Sequence, residues 1–313
     1  MLAAWALQAL VSDHDVTVLG GRPPSAAELN RFAGTSLREG AFRIERLPLL
    51  FRAIERLSPT PLALLHRAVA MRTARKLAPG FDLVLSLDNE VDVGRRAIQY
   101  VHFPWGYWPR PDVDLRWYHA GALLRGYYAL ARRIAGVRPE RIAENVTLVN
   151  SDWTGEKFRA TYGGTYRTVR PPAAGTFPDV PWEEREDRFI VLGRLAPEKE
   201  LEKIVAIVEG VRALGHPVRL LVVGILAKRG RHRRYARRIL AMAGDRDWME
   251  VRLEVPRAEL ETLLARSRWG LHGMAEEHYG MAVAEMVLAG CVPFVPDGGG
   301  AVEIAGECPE LRY

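Results

Sequence analysis

The segment Trp269–Ile304, WGLHGMAEEHYGMAVAEMVLAGCVPFVPDGGGAVEI, constrains what this chain can fold into more than any other stretch. An apolar run with a tryptophan leads into a polar loop. A helix-like apolar segment then ends at Gly290, and CVPFVP is followed by three glycines and the start of a second helix. Strand, loop, helix, strand, loop is the grammar of a parallel α/β domain. Glu277 and Glu285 mark the segment, with Gly280 between them. Two positions eight apart on one helix lie roughly 80° from each other at about 100° per residue, so the pair shares a crevice only if Glu277 precedes the helix. Glu277 is therefore expected in the loop and Glu285 in the first or second helical turn. Between them, the free backbone N–H groups near Gly280 and Met281 form a site for an anion or a hydroxyl group. A solvated amphipathic helix does not explain why Glu285 interrupts an apolar segment, where an unpaired buried carboxylate would be costly.

At 313 residues the chain suggests about two domains of roughly 100–200 residues each. With 48% hydrophobic and 26% charged residues it has the composition of an ordinary globular protein with real cores. No apolar run approaches the ~20 residues that a membrane span needs. The start, MLAAWALQAL, carries neither a basic region nor a cleavage site and reads as a core helix, not a signal peptide. The two cysteines, Cys291 and Cys308, with the first in an expected buried strand, point to a reduced, cytoplasmic setting. A net charge of +6 calls for an anionic partner such as a nucleotide diphosphate, an anionic lipid or nucleic acid, unless it reflects only an arginine-rich genome.

In chain order, DHDVTVLGG reads as a strand, FRIERLPLLF as a strand with loops, and LALLHRAVAMRTARKLA as a helix with a basic last turn. FDLVLSLDNE reads as a buried strand with polar residues at its C-terminal end, where open α/β sheets keep their sites. QYVHFPW repeats that pattern and places His102 at a strand end; spacing alone favours a structural histidine. Residues 106–145 are rich in Trp, Tyr and Arg, which suits an interfacial helix at a headgroup layer and equally a helix packed under a loop. VTLVNSDWTGEKFRATYG reads as a strand and then a helix capped by Ser151, with Asp152 at the positive end of its dipole. The proline-rich VRPPAAGTFPDVPWEERED is the expected interdomain linker. FIVLG, VRLLVVG and MEVRL are further strands, the first followed by a loop carrying Arg194 and Lys199 and a helix closed by Gly215. KRGRHRRYARR packs seven basic residues into eleven positions and reads first as a solvated face, second as a patch for anionic lipid or another macromolecule.

Four of these segments carry a family resemblance. Glu277, seven intervening residues and Glu285, with His278, Tyr279 and Gly280 after the first glutamate, resemble the E-x7-E signature of retaining glycosyltransferases of family four. Gly193, Arg194, Glu198 and Lys199 resemble that family's G-R-x-x-P-E-K element. Asn150, Ser151, Trp153 and Thr154 resemble its N-S-x-[WF]-T element. YVHFP around His102 is similar to a segment of its dolichol-linked mannosyltransferase branch. The resemblance implies a GT-B fold: an α/β chain of two Rossmann-like parallel-sheet domains facing each other across a cleft. It places an N-terminal acceptor-side domain at 1–170, the linker at 171–187 and a C-terminal nucleotide-sugar domain at 188–313. The family's first strand and glycine-rich loop precede the position of Met1, and relatives continue beyond the position of Tyr313, so truncation at both ends is expected.

By that resemblance, Arg194 and Lys199 hold the donor diphosphate beside Gly193, and Glu285 holds the nucleotide ribose. Glu277 with the Gly280 and Met281 backbone holds the sugar hydroxyls, His278 and Tyr279 are donor-binding residues of the same loop, and His102 faces the donor sugar, which makes Glu277 and His102 the catalytic candidates. The implied activity is retaining hexosyl transfer, with mannose favoured, from a nucleotide-diphosphate sugar to a glycan, lipid-linked or small-molecule acceptor. No cofactor or metal is expected, and no nucleic acid; an anionic membrane surface is a further partner, giving a cytoplasmic enzyme peripheral to the inner face. The rival reading is a catalytically weak or inactive nucleotide-sugar-binding fragment or scaffold.

Overall fold

The computed structural model describes residues 2–21, 23–49, 63–107, 121–173, 175–226, 230–306 and 308–313. Contacts divide the chain into two compact units, Met1–Asn150 with Gly155–Val169, and Ser151–Thr154 with Arg170–Tyr313.

The first unit opens with α1 (Leu2–Leu10), β1 (Thr17–Gly20), α2 (Ala26–Ala33) and β2 (Arg43–Arg46), the two strands pairing in parallel. Helix α2 starts where the sequence places a capping box: the Ser25 hydroxyl accepts from Glu28 N–H at 3.2 Å, and the Glu28 carboxylate accepts from Ser25 N–H at 2.9 Å. Then come α3 (Ala63–Leu77), β3 (Leu85–Ser86), β4 (Ile98–Val101), α4 (Gly121–Ala135), α5 (Pro139–Ala143), β5 (Val146–Val149), α6 (Asp152–Tyr162), whose first three residues belong to the second unit, and β6 (Arg167–Thr168). Strands β3, β4, β5 and β6 form one parallel sheet in that order.

The buried strand expected through FDLVLSLDNE is reduced to the half-buried pair Leu85–Ser86. The Ser86 hydroxyl donates to Asn89 O at 2.6 Å and Asn89 sits at φ 68°, which turns the chain out of the ladder before more residues can pair. In α4, Ala131 and Ala135 pack on Ala68 and Met71 of α3. The interfacial reading of 106–145 falls partly on residues 108–120, which lie outside the described residues.

The second unit contains β7 (Glu186–Arg194), α7 (Leu201–Ala213), β8 (Arg219–Ile225), α8 (Gly230–Gly244), β9 (Met249–Leu253), α9 (Arg257–Ala265), β10 (Ser267–Leu271), α10 (Met281–Leu288), β11 (Val292–Phe294) and α11 (Val302–Ala305). The five strands form one parallel sheet in the order β11-β10-β7-β8-β9. Strand β7 reads as an unbroken apolar run because helices cover both of its faces. Phe189 and Val191, with Leu220 and Val222 of β8, meet Ile204, Val205 and Val208 of α7 and Ile239 of α8. Ile190 and Leu192, with Leu221 and Val223, meet Leu264 of α9 and Met286 of α10. The chain thus winds outward from β7 to β9 on one side and returns to lay β10 against the other flank of β7. That reversal is a topological switch point, where loops leaving the C-terminal ends of β7 and β10 diverge to opposite faces and leave a crevice.

Of the basic run, Lys228 and Arg229 lie outside the described residues. On α8, Arg233, Arg234, Arg237 and Arg238 are exposed while Tyr235, Ala236 and Ile239 are buried, the division of an amphipathic surface helix.

Candidate active site

Gly193 and Arg194 end β7, and the loop that follows passes the buried pair Leu195 and Ala196 and closes in a single 3₁₀ turn at Pro197–Lys199. The Arg194 side chain is 63% exposed and pairs with Glu198 at 3.2 Å. Lys199 turns inward, its side chain 18% exposed.

The loop leaving β10 runs from the buried His272 to Gly280, the N-cap of α10 at φ 104°. The two loops meet closely. A Cβ at Gly273 would stand 2.3 Å from Lys199 O, so no side chain fits between them. Lys199 Nζ lies 2.5 Å from Glu277 Oε2, and His272 Nε2 lies 3.3 Å from the same oxygen. Burial pushes the Glu277 carboxyl up, but the His272 imidazole and the Lys199 ammonium outweigh it and hold the group well below the usual carboxylate range. Glu277 is accordingly an anion in a loop, positioned to accept hydroxyl hydrogen bonds.

The glycine run after β11 braces that loop. Gly300 N–H donates to Glu277 O at 2.7 Å, and a Cβ at Gly300 would lie 2.3 Å from His278 O. The His278 carbonyl also accepts from the Ser151 hydroxyl at 2.5 Å and the Thr154 hydroxyl at 3.2 Å, and the His278 ring stacks on Trp153 at 6.2 Å and 15°. Tyr279 is buried, which raises its phenol above the ordinary value. Gly280 and Met281 open α10, whose first N–H groups have no acceptor within the helix.

Glu285 occupies the second turn of α10 and is buried. Its carboxylate is not directed to Glu277's partners. Arg257, the first residue of α9, donates to Glu285 Oε1 at 2.7 Å and to Glu261 at 2.8 Å. The anion that seemed costly in an apolar helix therefore has a cation beside it.

His102 follows β4 in the first unit. Its N–H and that of Phe103 donate to Asn89 Oδ1 at 2.6 and 3.0 Å, its Nε2 lies 3.1 Å from Leu87 O, and its carbonyl accepts from Asn150 at 3.0 Å.

The structure thus brings Lys199 and Glu277 together, with Gly193 near Lys199 and Gly280 and Met281 at the head of α10. It ties Arg194 to Glu198, Glu285 to Arg257 and His278 to Trp153. Two residues escaped the sequence reading, His272 and Arg257, and Glu303 was legible only as the residue that follows the glycine run, without a role. For His272 a signal existed, because GLHG places it at the C-terminal end of an apolar strand. Among the described residues no group of three His, Cys, Asp or Glu side chains is arranged to hold a metal ion.

Residues 176–308 match the family model "Glycosyl transferases group 1". The GDP-Man:Man(3)GlcNAc(2)-PP-Dol alpha-1,2-mannosyltransferase of Homo sapiens is 26% identical over 188 residues, covering 56% of this chain and 38% of the relative. The Mus musculus enzyme of the same description is 26% identical over 170 residues, covering 50% and 35%. The chain therefore spans little more than a third of the length of the curated relatives it matches. Among solved structures, WaaG, a glycosyltransferase involved in lipopolysaccharide biosynthesis, aligns over 97% of this chain and 78% of its own at a TM-score of 0.57 and 16% identity. Anabaena HepE, solved in complex with UDP and glucose, aligns over 95% and 77% at a TM-score of 0.56 and 15% identity. The fold is α/β with parallel sheets, that of the GT-B glycosyltransferases.

Proposed function

We propose that this chain is a retaining glycosyltransferase of family four that moves a hexose, mannose first among the candidates, from a nucleotide-diphosphate sugar to a glycan or lipid-linked acceptor. The observation that carries the proposal is the meeting of Lys199 and Glu277 at the switch point of the second unit's sheet, with the exposed Arg194 on the same loop as Lys199. Cleavage of a glycosyl diphosphate concentrates negative charge on the leaving phosphate. Two fixed cations stabilise that charge as it grows, Arg194 through a planar fork and Lys199 as a point charge. The anionic Glu277 accepts from sugar hydroxyls, while the N–H groups of Gly280 and Met281 at the head of α10 add donors on the opposite side. Glu285 is assigned to the ribose, with Arg257 holding its orientation. His102 keeps the role its segment's resemblance implies. Retention follows if the leaving phosphate itself takes the acceptor proton on the face it vacates, which needs neither a covalent nucleophile nor a metal. The mannosyltransferase relatives favour GDP-mannose as donor and a lipid-linked acceptor, and that acceptor in turn favours a peripheral position at an anionic membrane surface, on the cytoplasmic side.

Thermal unfolding with GDP, UDP and ADP tests the donor site. A nucleotide at about 100 times its dissociation constant adds roughly 2.7 kcal/mol of stability. One nucleotide should stabilise the wild type and not Arg194→Ala, and its mannose or glucose conjugate should be turned over. Stabilisation by none of the three, in a folded protein, overturns the proposal.

A further inference from the structure

We infer that Glu303 is a positioning residue for the loop Glu277–Gly280, acting through the turn Ser151–Thr154; the role of that loop rests on the donor-site reading above. The connection can be followed bond by bond within the second unit. The two carboxylate oxygens of Glu303 accept from the first two N–H groups of α6: Oε2 from Asp152 at 3.0 Å and Oε1 from Trp153 at 2.8 Å. An anion at that end of a helix meets both the unsatisfied donors and the positive end of the dipole. Arg170 stands 3.5 Å from Glu303 Oε2 on its other side. The third N–H of α6, that of Thr154, donates to the Ser151 hydroxyl at 3.1 Å. Glu303 and Ser151 together leave the turn no freedom to rotate.

The turn then holds the donor loop. Ser151 and Thr154 both donate through their hydroxyls to the His278 carbonyl, and Trp153 stacks on the His278 ring. A carbonyl that accepts two hydroxyl hydrogen bonds fixes the plane of the His278–Tyr279 peptide, and with it the direction in which His278 and Tyr279 leave the backbone, next to the Glu277 carbonyl that Gly300 N–H holds. Gly300, three residues before Glu303, closes the circuit. Its N–H is bonded to Glu277 O, and a Cβ there would lie 2.3 Å from His278 O and 2.8 Å from the Ser151 hydroxyl oxygen. One short segment, Gly300–Glu303, therefore grips the donor loop at one end and the turn that supports it at the other.

The test uses the full chain without ligand. The exchange rate of the Gly300 amide, whose acceptor is the Glu277 carbonyl, reports loosening of the donor loop. Glu303→Ala and Ser151→Ala should each speed it by about tenfold, and the double variant by no more than the faster single, because the two act through one element. Glu303→Gln, which keeps one of the two acceptor oxygens and sets an NH2 against the other N–H, should fall between the wild type and Glu303→Ala while amides of β7 and β8 remain unchanged in every variant. An unchanged Gly300 rate in Glu303→Ala, or a rise shared with β7 and β8, overturns the inference. Titration with GDP-mannose gives the second readout. Glu303→Ala should weaken binding about tenfold and Glu303→Gln much less; equal binding by wild type and Glu303→Ala counts against the inference. Should GDP-mannose bind neither protein, GDP-mannose is not the donor, and the exchange rates still decide whether Glu303 positions the loop.

Discussion

Lys199 and Glu277 are joined across two loops, ammonium to carboxylate at 2.5 Å, with His272 against the same carboxylate oxygen at 3.3 Å. One residue is assigned to the diphosphate and the other to the sugar, so each limits what the other can do before a donor arrives. On the proposed donor reading, a diphosphate would compete with Glu277 for the ammonium, and a sugar hydroxyl would compete with Lys199 for the carboxylate.

That competition predicts opposite effects on nucleotide and on turnover. Glu277→Gln removes the anion beside Lys199 and should tighten binding of the free nucleoside diphosphate by about two- to fivefold, the worth of one partly exposed ion pair. Sugar transfer should nevertheless fall steeply, because the amide accepts sugar hydroxyls poorly. Lys199→Ala should weaken the nucleotide at least about tenfold. Calorimetric titration with the stabilising nucleotide checks both signs, and looser binding by Glu277→Gln would show that the ion pair is not in competition with the ligand.

The same carboxylate makes stability depend on pH. Its folded pKa is held below the ordinary value of about 4.3, so its contribution is present above that value and is lost as pH falls toward the folded pKa. The wild type should be more stable than Glu277→Gln at pH 7, and the gap should close below about pH 4. Urea unfolding of both proteins from pH 7 to pH 3 measures it. A gap that stays constant across the range would mean that Glu277 does not titrate with a depressed pKa.

Much of this site was legible because it is local. The placing of Glu277 before the helix and Glu285 in its first or second turn follows from spacing, the structure showing the second, and β7 and β8 announce themselves as apolar runs because both faces are covered. What was not legible depends on residues far apart in sequence. The Ser151 hydroxyl meets the His278 carbonyl 127 residues away, and Arg257 meets Glu285 at a separation of 28. Nothing in one stretch reveals the other's partner. The glycine run 298–300 was visible, but its reason was not: Gly299 has φ 70° and a Cβ there would stand 2.6 Å from Glu277 O. The shortness of β3 was hidden too, since the Ser86–Asn89 bond that ends it looks like any polar strand end.

Arg257 predicts a coupled effect on folding stability that needs no ligand to measure. It is 43% exposed, whereas the Glu285 side chain is 11% exposed, so its removal strands a buried anion. Arg257→Ala should cost about 1–2 kcal/mol, less than a fully buried pair because water reaches the guanidinium site. Adding Glu285→Gln to that variant should recover most of the loss, since the charge that needed the partner is gone. Denaturant midpoints of the two single variants and the double variant decide this, and additive losses would show that the pair is not coupled.

Glu90 predicts a pH dependence of opposite sign in the first unit. Its side chain is buried, with Oε1 accepting from Trp105 N–H at 2.7 Å, Gly106 N–H at 3.3 Å and the Tyr162 hydroxyl at 2.7 Å. Its Oε2 is buried and has no hydrogen-bond partner among the described residues. Burial raises the carboxyl above the ordinary range, and the donors on Oε1 do not offset it. Because the folded state holds the proton more tightly than the unfolded chain, this group's contribution is complete below about pH 4.3 and is lost as pH rises through the folded pKa. Glu90→Gln keeps an acceptor for Trp105, Gly106 and Tyr162 and cannot ionise. Its stability relative to the wild type should therefore climb as pH is raised from about 5, by up to about 1.4 kcal/mol per pH unit until the folded pKa is reached. Unfolding of both proteins between pH 5 and pH 8 measures the slope. A flat difference would mean that the Glu90 carboxyl is ionised throughout, and that Oε2 has found a charge or a water to hold it there.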